Sequence, residues 1–132
     1  MLAVNPAVLH NPRVVQIIRQ QQDILREYRR YSGLFGKSGS FSNKELDYIH
    51  NVYKQLVRQS DANTDDLSSV TTAGNLRMSD DDRLRAIERI YDSSADQLQF
   101  LRFFNRKAVM LSLQRSKNDQ NIQSLKRLYG VN

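Results

Sequence analysis

The chain has 132 residues, 39% of them hydrophobic and 26% charged, which is one domain's worth of sequence with a core of its own. It has no cysteine, which excludes disulfides, zinc–thiolate sites and thiol nucleophiles, and no run of about 18 apolar residues that could cross a membrane as a helix. Five Gly and two Pro leave little punctuation, so long helices are favoured over a many-stranded sheet, and the net charge of +6 admits phosphates or an acidic protein as partners.

In chain order, "MLAVNPAVLHNP" has neither the basic start nor the apolar centre of a signal peptide. This fits a cytoplasmic protein if Met1 is the native start, and a periplasmic or envelope protein if the chain is a mature or trimmed form. Asn11 and Pro12 then announce a first helix over 13–31, with apolar side chains at Val14, Ile17, Ile18, Ile24, Leu25, Tyr28 and Tyr31. Gly33 is its expected stop.

Within the loop expected at 32–42, "SGLFGKSGS" ends like a phosphate-binding loop in Gly36, Lys37 and Ser38. The full signature needs a glycine five positions before Gly36, where this chain has Tyr31, and a strand ahead of it, where this chain has a helix. The stretch therefore reads as a flexible connection. Ser42 and Glu45 make a capping box for a second helix over 43–60, carried by Leu46, Ile49, Val52, Tyr53, Leu56 and Val57.

Residues 61–79 are rich in Asp, Ser, Thr and Asn and read as a surface loop. Asp61, Asn63 and Asp65 match the first, third and fifth positions of a calcium loop, but Asp66 replaces the required glycine and Thr72 the closing glutamate. Ser79 caps a third helix, with Asp80, Asp81 and Asp82 at the positive end of its dipole; three consecutive helical residues point about 100° apart and cannot share one ion. An apolar stripe continues through Leu84, Ile87, Tyr91, Leu98, Leu101, Phe104, Ala108, Leu111, Ile122, Leu125 and Tyr129. The expected helix, 80–129, is about 75 Å long unless it bends, with the polar "RSKNDQN" as the natural place. The expected fold is all-α: a single domain forming an elongated bundle of three to four helices with a long C-terminal helix.

Chemistry finds little material. His10 and His50 stand apart from each other and from any metal-ligand spacing. The expectation is therefore no enzyme, no cofactor and no metal. The aromatic residues at 28, 31, 53, 91, 100, 103, 104 and 129 are assigned to core packing. The basic charge concentrates between 102 and 127, and on a continuous helix Arg102, Arg106, Lys117 and Arg127 fall within about 80° of one another as candidate contacts for phosphate or an acidic partner. Val109, Met110 and Leu113 lie among these charges as a candidate apolar docking patch, so Leu113→Asp is expected to abolish partner binding and leave folding intact.

The C-terminal half resembles a family. "LRMSDDDRLRAIERIY", "FLRFFNRK", "LSLQRSKND" and "LKRLYG" are similar to the end of envelope conjugal-transfer proteins of Bacteroides-type conjugative elements. The matching positions are Met78, Ser79, Asp80, Arg83, Tyr91, Asn105, Arg115, Leu128, Tyr129 and Gly130, and the likeness spans roughly residues 40 to 130. The resemblance implies a non-enzymatic part of a type IV secretion apparatus, like a helical minor pilus or assembly subunit, whose partners are other apparatus proteins or itself. It carries over no catalytic residue. The alternative expectation is a small basic DNA-binding accessory protein, which salt would separate from apolar association.

Overall fold

The computed structural model describes residues 11–72 and 78–132; His10 and residues 73–77 of the expected 61–79 loop lie outside the described residues. It is an all-α bundle with four helices and no strand among the described residues: α1 (Pro12–Ser38), α2 (Asn43–Thr71), α3 (Asp80–Gln114) and α4 (Asp119–Tyr129). Contacts Arg13–Glu88, Gln21–Ser94 and Glu27–Arg102 rise together along α1 and α3, so these two run parallel. Contacts Asn63–Ser93, Tyr53–Asn105 and Glu45–Arg115 run in opposite senses, so α2 is antiparallel to both. At 35 residues α3 is about 52 Å long and sets the length of the bundle.

Helix starts follow the sequence signals. The Asn11 side chain accepts from the Arg13 N–H at 2.8 Å and Pro12 takes the first turn. Ser42 with Glu45, and Ser79 with Asp82, each form a reciprocal capping box.

Helix ends depart from expectation. Gly33 does not stop α1, which continues through "SGLFGKS" until Gly39 adopts the left-handed conformation at φ 69°. The continuation is held by packing: Phe35 is buried, with its ring 5.5 Å from Phe41 and 5.8 Å from Tyr129. Gly36, Lys37 and Ser38 therefore form the last turn of a helix, not a loop. Likewise α2 runs on through 61–71, the segment expected as loop. Its inward residues there are Asn63, Leu67, Val70 and Thr71, at helical spacing but half of them polar. Asn63 is buried while Asp61 and Asp65 face solvent, so the calcium-like trio diverges.

The expected 80–129 helix is two helices. The ladder ends at Arg115; the Ser116 N–H bonds back to the Leu113 carbonyl at 3.1 Å, and Asn118 caps α4 by accepting from the Asn121 N–H at 2.8 Å. Helix α4 folds back so that Leu125 and Tyr129 join the core.

Two apolar clusters fill the bundle. One gathers Ile24, Phe35, Ile49, Tyr53, Leu56, Leu98, Leu101, Val109, Leu125 and Tyr129; the other gathers Val14, Ile17, Leu67, Val70, Ala86, Ile87 and Ile90. Between them lies a polar layer. Gln21 donates to Ser94 Oγ at 2.7 Å and accepts from the Ser60 hydroxyl, and Asn63 donates to Ser93 Oγ at 3.1 Å. This layer ties α1, α2 and α3 together at one height. Leu84, placed on the apolar stripe by its spacing, is 51% exposed; at 100° per residue it points about 120° away from the buried Ile90.

Candidate interaction surface

The sequence-nominated patch does not form. Val109 is a core residue of the larger cluster, Leu113 packs against the same cluster, and only Met110 is exposed, at 52%. The three positions span one full turn of α3, so a core on one side must take two of them when the third faces out.

The basic stripe is also dispersed. Arg102 is held by Glu27, with Nε 3.1 Å from both carboxylate oxygens, and lies 3.7 Å from Asp23. It is a strut between α1 and α3. Arg106 is exposed on α3, Lys117 sits in the break and donates its backbone N–H to Asn121 at 3.3 Å, and Arg127 is exposed on α4. The 100° count that aligned these residues stops at Gln114.

A surface feature instead opens where the first half of α2 faces the last third of α3. It is a groove of about 460 Å³, lined by Phe41, Ser42, Lys44, Glu45, Tyr48, Ile49, Phe104, Lys107, Ala108 and Leu111. The capping box fixes where α2 begins and so places Lys44 and Tyr48 on the rim. The floor is aromatic: Phe104 meets Tyr53 edge-on at 5.7 Å and stacks on Phe100 at 6.1 Å, and Tyr48 lies 6.5 Å away above it. Tyr48 is 64% exposed, and Phe100, Phe103, Met110 and Leu111 extend the apolar surface along α3. Phe100 and Phe103 thus depart from the expected core role.

Charge around the groove is specific. Glu45 is bound by both guanidinium nitrogens of Arg115, at 2.9 and 2.8 Å. That pair, with the Ser42 backbone N–H, lowers the Glu45 pKa to about 2, so its charge is already matched. Arg115 also lies over the Phe41 ring at 5.8 Å. Lys44 and Lys107 make no ion pair among the described residues, and Lys107 rests 5.5 Å over the Phe103 ring. The groove therefore combines an apolar floor with two uncompensated positive charges.

Other recesses are more polar. One further along the α2–α3 seam is lined by Gln59, Asn63, Ser93, Asp96, Gln97 and Phe100, and a smaller one between α1 and α2 contains His50 beside Tyr53 and Lys54. Among the described residues, no three His, Cys, Asp or Glu side chains gather as a metal site, and no helix is long and apolar enough to cross a membrane.

Sequence reasoning missed the groove because its residues belong to the same stripes that fill the core. One signal was available: Phe100, Phe103 and Phe104 point in directions spread over more than one face of α3, so a single core cannot take all three.

The fold and its surface define an all-α bundle with an open apolar groove. Comparison with known protein families, with characterised proteins and with solved structures gives no match to this chain.

Proposed function

We propose that this protein is a non-enzymatic interaction subunit of a conjugative type IV secretion apparatus, acting in the cell envelope and docking an apparatus protein in the α2–α3 groove. The observation that carries the docking role is the groove itself: exposed Tyr48 and Leu111 over an aromatic floor. The assignment to a transfer apparatus comes from the residue pattern between about 40 and 130. Two of its positions, Asn105 and Tyr129, are buried hydrogen-bonding residues, and Arg115 braces the groove's edge. The DNA-binding alternative has less to draw on, since Arg102 is engaged by carboxylates and its companions no longer share a face.

The test is mating frequency in a donor strain with the gene deleted in frame and then restored. Transfer that collapses and returns with the gene upholds the proposal. Unchanged transfer removes the apparatus assignment, and retention of the protein on DNA that weakens steeply with salt would then favour the basic-protein reading.

A further inference from the structure

We infer that the α2–α3 groove takes an amphipathic helix of another protein, one whose apolar stripe is flanked by carboxylates. The inference rests on the reading of this groove as a docking surface and adds the chemistry of its occupant.

Shape comes first. The groove lies between two antiparallel helices and runs along them, the trough that an additional helix fills in a bundle. Its apolar side runs from Phe104 through Ala108 to Leu111 on α3, a rise of seven positions or about 10 Å, which is the span of anchors at i, i+4 and i+7 on a docking helix.

Charge selects among such helices. Among the described residues, Lys44 and Lys107 stand at the groove with no ion-pair partner, while Glu45, the one acidic side chain lining it, is taken by Arg115. A helix with basic flanks would meet two unmatched ammonium groups, and one with acidic flanks would neutralise both. The same argument disfavours a second copy of this chain. A symmetric groove-to-groove dimer places the same patch on both sides, bringing two pairs of these lysines together.

The experiment uses the full chain and two synthetic fluorescein-labelled helices of about 18 residues. Both carry Leu at i, i+4 and i+7; one has Glu flanks and its twin has Lys flanks. Binding is read by fluorescence anisotropy at low salt. The Glu-flanked helix is expected to bind about fivefold to tenfold more tightly. In the double variant Lys44→Glu/Lys107→Glu the preference should reverse, and Leu111→Asp should abolish binding of both. These side chains are exposed, and circular dichroism confirms that each variant is folded.

Equal binding of the two helices, or no binding of either, overturns the inference. Concentration-dependent dimerisation that Leu111→Asp abolishes also overturns it, because the occupant is then a second copy. Mating assays separate this inference from the broader proposal. If deletion stops transfer but the charge-reversed double variant transfers normally, the apparatus role stands and the acidic-helix inference falls. If deletion leaves transfer intact while the helices are discriminated as described, the groove chemistry stands and the apparatus role falls.

Discussion

The Tyr129 hydroxyl donates to Ser112 Oγ at 2.8 Å, and Ser112 shares a further hydrogen bond with Ser40. Both Tyr129 and Ser112 are almost completely buried, so one serine joins α3, α4 and the α1–α2 connection. Tyr129→Phe should cost about 1 kcal/mol, since Ser112 keeps Ser40 as partner. Tyr129→Ala should cost about 3–5 kcal/mol, because a cavity opens beside Phe35 and Leu125. Urea denaturation monitored by circular dichroism measures both, and equal effects would show that the ring's packing contributes nothing beyond its hydroxyl.

The polar layer predicts an asymmetry. Gln21→Leu removes the partner of both Ser60 and the fully buried Ser94 and should destabilise by about 2 kcal/mol. Replacing all three, as Gln21→Leu/Ser60→Ala/Ser94→Ala, should recover most of that loss, since no hydroxyl is then left without a partner. If the triple variant is less stable than the single one, the layer acts as a net stabiliser and not as a satisfied set.

The Glu45–Arg115 pair sets a pH dependence with a definite sign. The carboxyl pKa falls from 4.5 to about 2 on folding, so the stabilisation is fully present above 4.5 and is lost as pH falls through about 2. Thermal melts of Glu45→Gln should lie below those of the parent near neutral pH and converge with them toward the acid end of that window. A constant difference across the window would mean that Glu45 acts through packing and not through its charge.

Leu113→Asp should lower stability by about 2–4 kcal/mol, because Leu113 packs on the core; the sequence pattern alone had indicated loss of partner binding with the fold intact. Met110→Asp, one turn away and exposed, should change stability by no more than about 0.5 kcal/mol. Thermal melts of the two variants suffice, and similar values would move Leu113 to the surface.

Gly33 and Gly36 offer a direct test of how far α1 extends. Neither has positive φ, and a Cβ added at either meets no atom within 4 Å. Each Gly→Ala change should therefore stabilise by about 0.5–1 kcal/mol, as expected inside a helix. Gly39→Ala should destabilise, since its φ of 69° belongs to the left-handed region. Destabilisation by Gly33→Ala would place the end of the helix at Tyr31 after all.

The legibility of this chain divides at the helix ends. Starts were readable because Asn11–Pro12, Ser42–Glu45 and Ser79 with its three aspartates satisfy exposed N–H groups locally, with no need of tertiary partners. Ends were not. Whether α1 passes Gly33 depends on Phe35 meeting Phe41 and Tyr129, the second a contact made only when α4 folds back. Whether α2 passes Ser60 depends on Asn63, Leu67 and Thr71 facing α1 and α3, and a search for apolar periodicity does not see buried amides and hydroxyls. The groove was least legible, because it is the space left between two amphipathic stripes, and that follows from how the helices sit together.

The two clusters are not built alike. Among the described residues, the one containing Tyr129 is closed by four helices, whereas the one containing Val14 draws on three and takes nothing from α4. With the amide–hydroxyl layer standing between them, the apolar contacts that would force both ends to open together are interrupted. Hydrogen–deuterium exchange should therefore resolve two cooperative units: amides around Val14, Val70 and Ile87 exchange through a low-energy opening, and those around Ile24, Tyr53 and Leu101 only through global unfolding. The groove is on the slow side of that divide, so a docking helix would meet a rigid receptor and pay little to order it.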